Sequence, residues 1–175
     1  MDLGLRGKRA LVLGASRGLG KAIAQSLAAE GATVFAAARS LELIDSWSKD
    51  LANVRPVKLD LADLISVDAV VNDLLASGGI DIIVNNSGGP PPGTAQEADR
   101  VAWITHFEAM AANIFHLTTH LLPSMKARGW GRVISITSSG VEQPIPNLAC
   151  QTASAQRSWG GQRRWPLRWL LTGSR

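Results

Sequence analysis

The sequence predicts an α/β fold in which a doubly wound parallel sheet of about five strands carries helices on both faces. Strand-like and helix-like segments alternate from Arg9 to Thr137, which is typical of βαβ units. A glycine-rich turn follows the first strand, and the segment from Ile80 to Val84 is apolar almost throughout, as in parallel strands covered on both faces. The alternation stops after Thr137, so we expect the sheet to be incomplete on its C-terminal side.

Short segments rich in apolar residues are the predicted strands. They span residues 9–14, 33–39, 54–60, 80–84 and 132–137. Pro56 lacks an amide hydrogen and therefore favours an edge position for the third strand.

Helical spacing of apolar residues predicts the helices between these strands. They span residues 19–30, 41–51, 66–76 and about 97–128. Gly31 suits the position after the last turn of the first helix. Ser66 can cap the third helix, and Gly78-Gly79 ends it. Gly88 to Gly93 is a proline-rich segment that we expect to form a stiff loop.

The composition is that of one globular domain, with 175 residues of which 46% are hydrophobic and 18% charged. All 14 acidic residues and 13 of the 18 basic residues lie before position 150, so this part is nearly neutral and does not indicate a nucleic-acid partner. Residues 150–175 contain five arginines, three of the six tryptophans and no acid. The chain therefore divides into a domain at 1–149 and a basic tail at 150–175.

The expected location is the cytoplasm. A single cysteine, Cys150, permits no internal disulfide, which fits a reducing compartment. The N-terminus lacks the basic and apolar regions of a signal peptide, and no apolar run approaches the length of a membrane span, so we expect no membrane partner.

A glycine-rich loop, Gly14-Ala-Ser16-Arg17-Gly18-Leu19-Gly20, lies between the first strand and the first helix. Glycines at this place let the backbone approach a pyrophosphate, whose charge the helix N-terminus favours. We therefore interpret 1–149 as a Rossmann-like dinucleotide-binding domain. The alternative is a plain tight turn.

The end of the second strand indicates which dinucleotide is bound. An acid there would bond a ribose 2′-hydroxyl, whereas an arginine can hold a 2′-phosphate. The second strand ends in Arg39, Arg17 lies in the glycine loop, and no acid follows before Glu42. We expect NADP (NADPH) rather than NAD, with a solvated Arg39 as the alternative.

Four motifs in order resemble the short-chain dehydrogenase/reductase family, and its β-ketoacyl-carrier-protein reductases most of all. They are the loop Gly14–Gly20, Asp60-Leu61 after the third strand, Asn85-Asn-Ser-Gly88 after the fourth, and Gly131-Arg-Val-Ile-Ser-Ile-Thr-Ser138 at the fifth. The resemblance covers about residues 5–149.

The resemblance implies a role for each matching residue. The loop residues Gly14, Ser16, Arg17, Gly18, Leu19 and Gly20 would bind the cofactor with Arg39. Asp60 would bond the adenine amino group, with the Leu61 backbone beside it, and Asn86, Ser87 and Gly88 would line the adenosine ribose. Ser138, or Ser139 if the register shifts by one, would bond the substrate carbonyl and stabilise developing negative charge. No metal ligand is implied.

The chain departs from the family at the other catalytic positions. The family has a Tyr thirteen residues after the Ser and a Lys four residues later, where this chain has Gln151 and Ala155, and the chain contains no Tyr. The family's Asn on the long helix aligns with Met110, and Asn113, one turn away, is not an obvious substitute.

The resemblance ends near Ala149, and we hypothesise that residues 150–175 are translated out of frame. A one-base shift permits a reading, Leu-Ser-Asn-Gly-Leu-Arg-Ser-Ala-Leu-Val-Gly-Trp-Ser-Lys-Thr-Leu-Ala, that forms an amphipathic helix similar to the family's next segment. This reading has Ser and Arg where the family has Tyr and Lys. On this hypothesis the chain is C-terminally truncated. The family continues with a helix against the fifth strand and two more strands. Without them we expect Val133, Ile134 and Ile136 to lie on an uncovered edge, which is an aggregation hazard, and the chain to be poorly stable.

Other interpretations have less support in the sequence. His116 and His120 are four residues apart on the long helix and could bind a metal, but no third ligand is evident, and a solvated helix face is the alternative. The tail interleaves arginine and tryptophan, as in single-strand or membrane-surface binders.

Two functions therefore stay open. The first is an NADP(H)-dependent oxidoreductase acting on a small-molecule ketone or alcohol, such as a 3-oxoacyl group. The second is a non-catalytic nucleotide-binding remnant. The resemblance also implies a homo-oligomer, but the helix that usually forms its interface is missing from this chain.

Overall fold

A computed structural model of the chain describes residues 3–89, 92–94, 96–138 and 142. The strands of the sheet are β1 (Arg9–Leu13), β2 (Thr33–Ala38), β3 (Val54–Lys58), β4 (Ile82–Asn85) and β5 (Arg132–Ser135). The α-helices are α1 (Gly18–Ala29), α2 (Leu41–Ser48), α3 (Leu64–Ala76), α4 (Arg100–Phe107) and α5 (Asn113–Ala127). A short π-helical segment, Glu108–Ala112, joins α4 to α5.

The strands form one parallel sheet in the order β3-β2-β1-β4-β5. At its centre Leu11 pairs with Phe35 on one side and with Ile83 on the other. The chain moves outward from β1 to β3, then returns to the other side of β1 for β4. The predicted doubly wound α/β fold is therefore confirmed, and β3 is at an edge, as Pro56 predicted.

Alternate residues of each central strand face two separate apolar cores. Leu11, Leu13 and Ile83 pack on the side of α3 and α5. Ala10 and Val12 pack on the other side, with buried residues of α1 and α2. Helices on both faces explain why these strands are apolar at every position rather than at every second one.

Several helix boundaries differ from the sequence prediction by one to three residues, those of α2 and α3 among them. Ser66 does not cap α3, because the helix begins two residues earlier and its N-cap is Asp63, whose side chain accepts a hydrogen bond from the amide of Ile65. The Ser66 hydroxyl instead accepts from the amide of Asp60, at 3.1 Å. Helix α2 ends at Ser48 rather than at residue 51.

The predicted long helix contains a change of helical register. The π-helical turn inserts one residue, which rotates the following face by about 100° at 3.6 residues per turn. None of the eight residues of α4, all of them described, is buried, whereas six residues of α5 are buried. The turn thus brings the apolar face of α5 onto the sheet.

Strand β5 lies at the edge of the sheet opposite β3. Ile134 and Ile136 are exposed, while Val133 packs against the core on the α3 and α5 side. Within the part of the chain that the structure describes, the expected uncovered edge is therefore present at Ile134 and Ile136. The expectation is wrong for Val133, because its side chain points to the face that α3 and α5 cover. The tail at 150–175, and with it the division at 149/150 and the reading-frame hypothesis, lies outside the described residues.

Among the described residues, no helix combines the length and the apolar character needed to cross a membrane.

Candidate nucleotide-binding site

The site lies where the strand order reverses, between the carboxyl ends of β1 and β4. In open α/β sheets, ligands bind in the crevice outside these strand ends. The chain turns from β1 into Gly14 and from β4 into Asn86. The side-chain amide of Asn86 donates a hydrogen bond to the carbonyl of Leu13, at 3.2 Å, which holds the two strand ends together.

Two glycines form a crevice floor that has no room for a side chain. A Cβ on Gly14, whose φ is +64°, would lie 2.7 Å from the Asn86 carbonyl oxygen. A Cβ on Gly20 would overlap the Gly14 carbonyl and lie 2.9 Å from the Asn86 amide nitrogen. The first turn of α1 therefore packs directly on the backbone of the loop, and no larger residue permits this approach.

Gly18 differs from the other two glycines because it faces open space. It is the first residue of α1, with a φ of +56°, and nothing lies within 4 Å of the position that a Cβ would take. The amides of a first helical turn have no carbonyl partner within the helix, and the helix dipole makes this end attractive to an anion. Ser16 is partly buried in the same loop, whereas Leu19 is exposed.

The two arginines of the predicted 2′-phosphate site are both exposed. Arg17 is the N-cap residue of α1 and its side chain makes no capping bond. Arg39 directly follows β2, and the amide of Ala15 donates to the carbonyl of Ala37 at 3.0 Å. This bond places the glycine loop beside the carboxyl end of β2. The structure therefore brings both arginines to the side of the sheet where the strands end.

The loop after β3 lies at this edge as well. The amide of Leu59 donates to the carbonyl of Ala38 at 3.0 Å, so that Asp60 and Leu61 continue next to the end of β2. The Asp60 carboxylate accepts a hydrogen bond from the amide of Ala62, at 3.0 Å. This bond orients the carboxylate within its own loop.

The segment after β4 continues along the crevice. Asn86 is partly buried and its amide is directed at β1, Ser87 is partly buried, and Gly88 is exposed. That these three residues line a ribose stays a prediction.

Ser138 comes three residues after the end of β5. The amide of Ile136 donates to the carbonyl of Asn85, at 2.9 Å, which holds the chain beyond β5 against the end of β4. Ser138 is partly buried there. Its catalytic role stays a prediction, and Ser139, Cys150, Gln151 and Ala155 lie outside the described residues.

Sequence reasoning missed a buried polar cluster beneath this edge. The Asn85 amide donates to the hydroxyls of Thr118 and Ser135, both at 3.3 Å, and the Thr118 hydroxyl bonds the carbonyl of Ile114 at 2.7 Å. The cluster joins β4, α5 and β5. The asparagine was visible in the motif, but its partners are distant in sequence, so no local signal identified them.

The histidine pair on α5 has other partners than a metal. His116 Nε2 lies 2.6 Å from the carboxylate of Asp68 on α3, and His120 Nδ1 lies 2.8 Å from the carbonyl of His116. Within the described residues, no three histidine, cysteine or acidic side chains are grouped as metal ligands would be.

The sequence matches a family model described as short chain dehydrogenase over residues 8–156. The chain belongs to this family. Among curated relatives, it is 32% identical to the uncharacterized oxidoreductase YvrD of Bacillus subtilis, over 85% of this chain and 57% of the relative. It is 35% identical to the 3-oxoacyl-[acyl-carrier-protein] reductase FabG of Escherichia coli, over 78% of this chain and 57% of the relative.

A solved structure shows the same fold. L-Sorbose reductase from Gluconobacter frateurii, complexed with NADPH and L-sorbose, superposes with a TM-score of 0.86 at 33% identity, over 92% of this chain and 64% of that one. The chain thus spans less than two thirds of the length of each of these relatives.

Proposed function

We propose that this short-chain dehydrogenase binds NADP(H) at the carboxyl ends of β1, β2 and β4, and that it derives from an oxidoreductase acting on a ketone or alcohol, such as a 3-oxoacyl group. The observation that carries the proposal is the floor of the crevice. Gly14 and Gly20 pack against Asn86 with no room for a Cβ, while Gly18 beside them faces open space.

The residues present fit a nicotinamide dinucleotide. Gly18 and the first amides of α1 would hold the pyrophosphate, because the absence of a side chain permits close approach and the helix N-terminus favours negative charge. Asp60 would accept a hydrogen bond from the adenine amino group. Arg17 and Arg39 would pair with the 2′-phosphate. The nicotinamide, when bound, supplies the hydride.

The substrate side of the site rests on Ser138. A hydroxyl there would donate to the substrate carbonyl and stabilise the negative charge that develops on its oxygen. The names of the relatives support a carbonyl substrate, since one reduces a 3-oxoacyl group and another is complexed with NADPH and L-sorbose. We also propose a cytoplasmic location, since a single cysteine permits no internal disulfide. A homo-oligomer is what the family resemblance implies, and it too stays a proposal.

A second function, nucleotide binding without catalysis, is favoured by the absence of any tyrosine among the 175 residues. Gln151 and Ala155 stand where the family has its Tyr and Lys. The amide of Gln151 is a far weaker acid than a phenol whose pKa a neighbouring lysine lowers, so it cannot deliver the proton as the family's Tyr does.

Two measurements separate these functions. NADPH fluorescence is titrated with the protein, and turnover is then assayed on a simple ketone. Binding with turnover supports the oxidoreductase, binding without turnover supports the second function, and no binding refutes both.

A matched pair of variants tests the site itself. Gly18→Ala and Gly129→Ala each place a methyl group at a positive φ, +56° and +64°, in open space, so both cost about 1 kcal/mol of backbone strain. Only Gly18 lies at the proposed pyrophosphate site. We expect Gly18→Ala to weaken NADPH binding about tenfold or more, as for the loss of a close backbone contact to a charged group, and Gly129→Ala to leave it unchanged. Equal affinities in the two variants would refute the location.

A further inference from the structure

Asn113 is a buried polar residue with a long-range contact. It is the first residue of α5 and is 9% exposed. Its backbone N–H donates to the carbonyl of Glu108, five residues earlier. That bond closes the π-helical turn. The turn therefore fixes the direction in which the Asn113 side chain leaves the helix.

The side chain reaches the loop that follows β3. Asn113 Nδ2 donates a hydrogen bond to the carbonyl oxygen of Leu61, at 2.8 Å, across 52 residues of sequence. This bond connects α5, on one face of the sheet, to the loop at the carboxyl end of the edge strand.

The other hydrogen bonds of this loop are local. Asp60 donates from its amide to the Ser66 hydroxyl, and its carboxylate and carbonyl accept from the amides of Ala62 and Asp63. These bonds shape the loop and join it to the start of α3. The loop is also joined to the sheet through Leu59, whose amide bonds Ala38, and through the Leu61 side chain, which packs against the core. The bond from Asn113 adds a direct hydrogen bond between α5 and the backbone of the loop.

We propose that Asn113 is a positioning residue, which holds the loop Asp60–Asp63 in place through the Leu61 carbonyl and thereby sets the affinity for the adenine half of the cofactor. This inference rests on the proposed function, in which Asp60 bonds the adenine. Without this bond the backbone of the loop would be less well ordered, and ordering it on binding costs free energy.

The role differs from that of a proton relay. The Asn113 amide donates to Leu61, toward β3, whereas Ser138 lies beyond β5 at the other edge of the sheet. Its expected effect is accordingly on the affinity for the adenine half and not on a catalytic step.

Asn113→Asp tests the proposal in the full chain. The carboxylate has nearly the same size but cannot donate to the Leu61 carbonyl when ionised. The control is Thr118→Val, which removes an equally buried polar group from the same helix, with partners Asn85 and Ile114 rather than the loop. Asn113→Ala provides a second variant that introduces no charge.

Binding is measured with adenosine 2′,5′-bisphosphate, as a probe of the adenine half, and with NADPH. We expect both Asn113 variants to weaken both ligands by the same factor, about threefold to tenfold, as for the loss of one hydrogen bond. Thr118→Val should leave the affinity for the bisphosphate unchanged. The NMR signal of the Ala62 amide, which shares a peptide group with the Leu61 carbonyl, should move in the Asn113 variants and not in the control.

The outcomes distinguish this inference from the proposed function. If the unmodified protein binds neither ligand, the proposed function fails and the inference fails with it. If the unmodified protein binds both and Asn113→Asp or Asn113→Ala binds them equally well, the positioning role alone is wrong. If Thr118→Val loses as much affinity as the Asn113 variants, the effect is general destabilisation and the inference is overturned.

Discussion

Asp81 joins three elements at the amino end of the sheet and is the residue whose loss should most affect folding. It is 8% exposed, and its carboxylate accepts hydrogen bonds from the amide of Arg9 and from Nε of Arg128, each at 2.9 Å. Arg128 also donates to the carbonyls of Gly78 and Ile80, while Arg9 donates from Nε to the Gly79 carbonyl. The two guanidinium groups thus enclose the turn between α3 and β4, and Asp81 holds the guanidinium of Arg128 and the backbone amide of Arg9.

Asp81→Ala removes both acceptors and leaves two donors without their partner. Hydrogen bonds to charged groups are worth about 1.5–3 kcal/mol each, and breaking a buried ion pair costs about 3–5 kcal/mol. The Arg128 side chain is 37% exposed, so water replaces part of what it loses. We therefore expect a loss of about 2–4 kcal/mol in the free energy of unfolding, or roughly 5–15 °C in Tm for a chain of this size.

Urea denaturation followed by circular dichroism measures this loss, with Asp73→Ala as the control. Asp73 is an exposed residue of α3, so its replacement should change the free energy of unfolding by less than about 0.5 kcal/mol. NADPH affinity should be the same in both folded variants, because Asp81 lies at the end of the sheet opposite the proposed site. A loss below about 1 kcal/mol for Asp81→Ala would show that the carboxylate does not hold the turn as these hydrogen bonds imply.

Two further predictions concern charged side chains. Arg39→Ala should weaken NADPH binding about tenfold or more and change the affinity for NADH by less than about twofold, because only NADPH carries the 2′-phosphate. The control is Arg55→Ala, the same change near the amino end of β3, which should alter neither Kd. An equal effect of both variants would contradict the assignment of Arg39 to the 2′-phosphate. The Glu97 carboxylate accepts hydrogen bonds from the backbone amide of Thr94, at 3.0 Å, and from the Thr94 hydroxyl, at 2.9 Å, and these bonds hold the pKa of Glu97 below its ordinary value. The stabilisation that these two hydrogen bonds give to the loop is therefore present above the ordinary pKa of a glutamate and is lost as the pH falls through the lowered pKa of Glu97. An NMR titration of Thr94→Val should show the pKa of Glu97 moving part of the way back to its ordinary value.

The local elements of this fold were predictable because local physics sets them. Segments of five to seven mostly apolar residues, together with helical spacing, predicted the five strands of the described residues and the helices between them, except that a π-helical turn divides the predicted long helix. Gly31, Gly78 and Gly79 were predicted to end helices, and each has a positive φ, which other residues rarely adopt. The doubly wound order follows from the same alternation, since parallel neighbours need a helical crossover.

The glycine-rich loop of the candidate site was predictable as a local feature, while the roles of the site residues stay predictions. The glycine loop could be found because its position between a strand and a helix constrains the residue types. The sequence did not show that Gly14 and Gly20 serve close packing against Asn86 while Gly18 faces open space, since that distinction depends on which backbone lies opposite each glycine.

The sequence by itself determined the elements, their order, and the residues whose backbone or side chain meets only near neighbours. Tertiary structure alone decided that Asn85 bonds Thr118, that a π-helical turn directs Asn113 at Leu61, and that Asp81 meets Arg128. The physical reason is that a polar group takes the partner that packing brings within about 3 Å, and the periodicity of a sequence carries no record of contacts between residues that are distant along the chain.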